Sequence, residues 1–167
     1  QRVELASFFK EAPMKRIVSV IAFCSALVLV VPAAASPETD EADVRGVLQS
    51  YSAAVQNLDG AAASTLFTTD ARVFEQGGDE GTWSVYLKEH LGPEFGEFKS
   101  FKFADYAATV AVEGDLAIAS ETYRYTIELK EGGDPIIRLG AATSVLRRTA
   151  DGWKIIQYHS SSRKPPG

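Results

Sequence analysis

Between Phe98 and Ser161 the sequence keeps a period of two across four segments broken only by short turns, and no other feature confines the fold as tightly. Residues 98–103 and 107–112 read as one long, bent strand, and residues 116–129, 136–148 and 153–161 as three more. Glu113-Gly114-Asp115, Glu131-Gly132-Gly133-Asp134 and Ala150-Asp151-Gly152 are tight-turn sequences. Strands joined by such short turns must run antiparallel.

Helical spacing is confined to the N-terminal side. Val44, Val47, Leu48, Tyr51, Val55 and Leu58 recur every three or four residues behind Glu38, Asp40, Glu41 and Asp43, whose charges complement a helix N-terminus. Asn57-Leu58-Asp59-Gly60 ends this helix, and Asp59 is placed to cap a second over 61–67. Residues 70–75 read as a short strand and 76–81 as a glycine-rich turn. Thr82 caps a third helix that Gly92-Pro93 stops near Leu91. From Ser162 onward the chain reads as a polar, frayed tail. Three helices packed on one face of a bent antiparallel sheet make an α+β domain, a cone with a pocket at its open end.

The first 35 residues are of another kind. Lys15 and Arg16 follow Met14, the only methionine; an uncharged apolar run from Ile17 to Val31 then leads to Pro32 and Ala33-Ala34-Ala35. Basic, apolar and small-residue parts in that order make a secretory signal peptide. The run of about 15 residues is shorter than the roughly 20 that cross a bilayer, which favours a cleaved leader over a retained anchor. Cys24 lies mid-run behind Phe23, the wrong setting for lipid attachment, and residues 1–13 carry no assigned role. The expectation is an extension and leader over 1–35 and one domain over 36–167, secreted or periplasmic and free of the membrane once cleaved.

Charge and motifs remove several function classes. Of 17 Lys+Arg and 22 Asp+Glu, four and two precede residue 36, leaving 13 against 20 and a net charge of −7 in the domain. Such acidity repels nucleic acid, whose binding requires phosphate neutralisation. Without cysteine beyond Cys24 the domain has no disulfide, thiol nucleophile or cysteine zinc site. No phosphate-binding loop, nucleophile elbow or dinucleotide fingerprint occurs, and Gly77-Gly78 and Gly132-Gly133 are turn glycines. No cofactor is expected.

His90 and His159 are the only histidines, and proton transfer near neutral pH most often uses histidine. Strict alternation puts Trp153, Ile155, Gln157, His159 and Ser161 on one face of the last strand, and Glu121, Tyr123, Tyr125 and Ile127 together on another strand. Period two does not say which face is inward, so Glu121 is a pocket carboxylate in one case and a solvated one in the other. Trp153, like Trp83, is a packing anchor or a ligand-contacting ring. Tyr123, Tyr125 and Tyr158 either pack or present hydroxyls to a ligand.

The element order over 40–162 resembles the nuclear transport factor 2-like superfamily. The closing segment Arg147-Arg148-Thr149-Ala150-Asp151-Gly152-Trp153-Lys154-Ile155-Ile156-Gln157-Tyr158-His159-Ser160-Ser161 is similar to the last strand of SnoaL-like proteins and of the calcium/calmodulin-dependent kinase II association domain. Phe74-Glu75-Gln76-Gly77 followed by His90-Leu91-Gly92-Pro93-Glu94 resembles exported bacterial members. Gly140-Ala141-Ala142-Thr143-Ser144 departs from the polar and charged strand of the kinase domain, so that pocket's chemistry does not carry over.

The resemblance implies a cone whose pocket mouth receives Glu75. It further implies a small-molecule ligand, a homodimer, and cofactor-independent acid–base chemistry of the isomerase, dehydratase or hydrolase type. Glu75, His90 and His159 are the candidate catalytic residues, and Tyr123, Tyr125, Glu121, Trp153 and Tyr158 the candidate ligand contacts. A two-histidine, one-carboxylate metal site is the other use of the first three, although no close ligand spacing supports it. The competing expectation is a non-catalytic interaction module that oligomerises through its sheet.

Overall fold

The computed structural model of the chain describes residues 37–166; the leader and extension expected over 1–35 lie outside the described residues. Val44, Leu48, Tyr51 and Val55 form the buried stripe of α1 (Pro37–Gln56), which lies against the long strands. The helix gives way at Leu58, where φ is 54°, and Asp59 caps α2 (Gly60–Ser64) by accepting the Ala62 N–H at 2.9 Å.

One long N-terminal helix therefore replaces the three expected. The second is a five-residue turn, and the third is a composite of α3 (Trp83–Tyr86), a π turn (Leu87–Leu91) and α4 (Gly92–Glu97). Gly92-Pro93 does not stop this helix. In the wide turn the Gly92 N–H reaches back five residues to the Leu87 carbonyl, and Pro93, with no N–H to give, enters the first turn of α4. Thr82 stands at the N-cap of α3, but its hydroxyl pairs with Ser84 Oγ at 3.0 Å rather than with the helix.

Six strands form one sheet: β1 (Phe67–Glu75), β2 (Gly78–Thr82), β3 (Phe98–Glu113), β4 (Leu116–Leu129), β5 (Ile136–Thr149) and β6 (Gly152–Arg163), in the order β2-β1-β6-β5-β4-β3. The β3–β6 meander is antiparallel, as its turns require. β1 joins β6 in parallel, so the sheet is mixed, which corrects the expectation of a purely antiparallel one. β2 occupies residues taken from sequence as a turn: Gln76 and Gly77, both with positive φ, close a two-residue hairpin and release Gly78–Thr82 to pair. β6 runs to Arg163 instead of fraying, because Ser162 is held by Gln76 and by Tyr125.

Two irregularities shape the sheet. A bulge between Ala104 and Ala107, with Asp105 at φ 54°, bends β3 where the sequence suggested a bend. On β6 the register slips opposite Val145 and Leu146, which face Gln157 and Ile155, so Ile156 is an extra residue. Beyond it the alternation inverts: Trp153 and Ile155 point inward before the slip, Tyr158 and Ser160 after it. Ala117, Ala119, Ala142 and Leu146 are buried toward one end of the inner face, while Phe101, Phe103, Tyr123, Tyr125 and Tyr158 ring an interior space toward the other.

A Cβ on residue 92 would overlap the Leu87 carbonyl oxygen, so the π turn requires glycine there. Gly92→Ala is expected to destabilise the domain by about 1–3 kcal/mol, the usual range for forced overpacking. Urea denaturation checks this, and an unchanged midpoint would mean that the turn adapts freely.

Candidate ligand and acid–base site

The interior space is a cavity of about 130 Å³. Tyr51 and Val55 of α1, Tyr86 of α3, Leu91 of the π turn and Glu94 of α4 close its helix side. Aromatic residues of β3, β4 and β6 close the sheet side, and Glu75, Gln76 and Ser160–Ser162 lie at its rim. A larger depression of about 480 Å³ lies on the other side of the sheet, lined by Arg124, Arg163 and Ala141 among others. It is a surface groove that shares Tyr123, Ser161 and Ser162 with the interior cavity, and the interior cavity is where the acid–base groups gather.

Deep in the cavity the hydroxyls of Tyr123 and Tyr158 stand 3.4 Å apart, and Tyr51 meets the Tyr158 ring edge-on at 5.2 Å. Burial drives the phenols of Tyr51 and Tyr158 well above the ordinary tyrosine value. Burial also pushes Tyr123 up to about 12, with the Tyr158 hydrogen bond opposing and nearby Glu121 adding. All three are neutral phenols at physiological pH and can donate to a ligand oxygen. Gly140 makes this possible: a Cβ there would overlap the Tyr123 ring.

Glu121 faces inward, as one of the two sequence alternatives had it, and is only 4% exposed. It lies beneath the cavity rather than in its lining, accepting hydrogen bonds from Tyr106 Oη and Ser144 Oγ, each at 2.6 Å. Trp153 is remote from the cavity. The Arg148 guanidinium covers its ring at 4.6 Å while pairing with Asp40 at the start of α1 and with Asp115.

At the rim, Glu75 accepts a 2.6 Å hydrogen bond from the Tyr86 hydroxyl, and His90 Nε2 lies 4.0 Å from the same oxygen. His90 also reaches Glu80 through Nδ1 at 3.1 Å and Glu94 through Nε2 at 3.4 Å. Burial by itself would lower the imidazole pKa; the Glu80 hydrogen bond and the charges of Glu94, Glu75 and Glu80 outweigh it and hold His90 above the ordinary histidine value. Glu94 is shifted upward, first by burial and then by Glu75, with His90 opposing.

Glu75 and His90 are thus brought together, and His159 is not. The extra residue on β6 turns His159 to the outer face, exposed beside Phe74, whose ring it meets edge-on at 6.2 Å. The two histidines lie on opposite faces of the sheet, so the two-histidine, one-carboxylate centre does not assemble. Among the described residues no group of three or more His, Cys, Asp or Glu side chains is disposed to hold a metal ion.

Tyr86, Glu94 and the phenylalanines of β3 are cavity residues that sequence reasoning missed. Tyr86, His90 and Glu94 follow one another at intervals of four, the spacing of one helix face. The expected stop at Gly92-Pro93 concealed that signal.

A curved mixed sheet wrapped on one long helix, with its cavity between them, defines the nuclear transport factor 2-like α+β fold. Residues 44–165 match the SnoaL-like domain family, and the chain belongs to that family. Among solved structures, a nuclear transport factor 2-like superfamily protein from Salmonella enterica serovar Typhimurium superposes with a TM-score of 0.71 at 20% identity, covering 79% of this chain and 96% of that one. A candidate dehydratase of the same superfamily from Streptomyces avermitilis gives 0.68 at 22% identity, with 78% and 100% covered. A ketosteroid isomerase-like protein from Erwinia carotovora atroseptica gives 0.66 at 22% identity, with 75% and 98% covered. At these identities the likeness is one of fold. No curated protein matches the sequence.

Gly140→Ala is expected to push the Tyr123 ring out of place and to destabilise the domain by about 1–3 kcal/mol. Equilibrium denaturation followed by near-ultraviolet circular dichroism, which reports the tyrosine environment, reads both effects; a variant identical to the parent would refute the tight Gly140–Tyr123 contact.

Proposed function

We propose that the domain binds a small, predominantly apolar molecule in its interior cavity and that Glu75 transfers protons there without a cofactor, in an isomerisation, dehydration or hydrolysis. The observation that carries this reading is the position of Glu75, at the rim of an aromatic cavity with one oxygen fixed by the Tyr86 phenol. A carboxylate so oriented is a general base, and the phenols of Tyr123 and Tyr158 offer hydrogen bonds to an oxygen on which charge develops. His90 balances the carboxylates around it. His159, on the outer face, has no part in this chemistry. Fold neighbours named as a ketosteroid isomerase-like protein and a candidate dehydratase support small-molecule chemistry for this architecture.

A thermal-shift screen against small metabolites tests the reading, since a ligand of the folded state raises the melting temperature by mass action. Glu75→Gln is expected to weaken a stabilising hit about 10- to 100-fold, the worth of a hydrogen bond to a charged group, and His159→Ala to leave it unchanged. The reverse pattern would overturn the assignment.

A second proposal concerns assembly. Ile118 and Ile137 are 54% and 39% exposed on the outer sheet face, and Ile118 sits between Ala111 and Val145 while Ser120 beside it sits between Thr109 and Thr143. An uncharged strip of small and β-branched side chains suits a second copy of the same sheet, and this face is also what a non-catalytic interaction module would use. Export is proposed from the leader pattern of residues 14–35. Intact mass and light scattering of protein recovered from the exported fraction test both. The expected result is a chain beginning near Ser36 at twice its own mass, reduced to a monomer by Ile118→Lys; an uncleaved or monomeric parent would contradict the corresponding proposal.

A further inference from the structure

The polarity of the cavity narrows the ligand further than its shape. Glu75 and Glu94 are the charged residues in its lining, and no lysine or arginine joins them. His90 touches both carboxylates, but it is shared with a third, Glu80, so one imidazolium faces three carboxylates. Carboxylates therefore outnumber cationic groups at the rim three to one. Behind the rim the walls are aromatic: Phe101 stacks on Tyr125 at 5.2 Å, Phe103 meets Tyr123 edge-on at 5.0 Å, and Phe98 lies 6.2 Å from Phe101. Ring faces carry negative quadrupole density and attract cations, most strongly where water is excluded. An anion would meet carboxylates and ring faces with no fixed cation free to receive it.

Size sets the second constraint. A cavity near 150 Å³ holds one benzene ring, and this one, at about 130 Å³, has room for a single ring or a compact alkyl group. A charged head then falls at the rim, where Glu75 and Glu94 stand.

We infer that the ligand is a small organic cation, an amine or ammonium compound of roughly one ring, with its apolar body among Phe101, Phe103 and Tyr158 and its positive head at the rim, on the cavity side of Glu75 and Glu94. This rests on the proposed reading of the cavity as a ligand site and adds the class of ligand it takes. The cavity supplies the site, and the carboxylates set only the sign of charge it accepts. Glu94, more exposed than Glu75 and free of the Tyr86 hydrogen bond, is the specificity-determining residue.

Isothermal titration of the protein at neutral pH and low salt with benzylamine, benzyl alcohol and benzoate, near-isosteres of positive, zero and negative charge, tests the inference. Benzylamine is expected to bind about tenfold or more tighter than benzyl alcohol, with benzoate weakest. Glu94→Gln is expected to remove most of that preference by weakening benzylamine while leaving benzyl alcohol unchanged, and Phe101→Ala to weaken both. Equal affinities for amine and alcohol, or a preference for benzoate, would overturn the cationic assignment and leave the ligand cavity standing. Benzylamine binding indifferent to both Glu94→Gln and Phe101→Ala would place the amine elsewhere and overturn it as well. Failure of all three probes to bind would remove the cavity reading itself.

Discussion

A single imidazole ties the working end of this domain together. His90 joins Glu75 of β1, Glu80 of β2 and Glu94 of α4, and it does so from a π turn. The helix reaches Glu94 because the wide turn absorbs Gly92-Pro93, which a regular α-helix would not pass without loss. Without that turn the helix would end at Leu91, leaving Glu94 without a helix to carry it to the cavity. The placement of His90 and Glu94 beside Glu75 follows from one local backbone irregularity.

Around this knot the interior is organised by burial. Tyr51, Tyr123 and Tyr158, neutral at physiological pH as phenols ordinarily are, are moved further from ionisation by burial. Glu121 is buried as well, but its two oxygens are occupied by Tyr106 and Ser144, and it braces the sheet beneath the cavity. Glu75 and Glu94 are left at the rim, where a ligand's polar end would meet them. A carboxylate with both oxygens taken by protein hydroxyls and a carboxylate that lines a cavity have different uses, and the fold supplies both.

The sequence was informative where patterns are periodic and silent where a single residue breaks the period. The meander from β3 to β6, its turns and the bend in β3 are legible because alternation runs through them for 12 to 16 residues a strand. Alternation also puts Glu121, Tyr123 and Ile127 on one face, without saying that the face is inward, and the Asp59 cap is legible from its residue type at the head of a helical run. His159 was misplaced because Ile156, one apolar residue among several, is an extra residue on β6, and no composition signal separates it from its neighbours. β2 was missed because Gly78-Asp79-Glu80-Gly81-Thr82 has little strand propensity and pairs only once the Gln76-Gly77 turn folds it onto β1. The parallel β1–β6 pairing depends on contacts far apart in sequence, which local pattern does not encode.

The knot around His90 is the claim on which the rest stands, and its sign in pH is fixed. A folded-state pKa above the ordinary histidine value means that His90's contribution to stability is complete below that value and is lost as pH rises through the folded one. An NMR titration of the His90 ring measures it directly. The expected midpoint lies above about 6.5, the reference value for histidine, and falls when Glu80 is changed to Gln. A midpoint at or below the reference, unmoved by Glu80→Gln, would show that the three carboxylates do not hold a charged imidazole and would contradict the site built upon it.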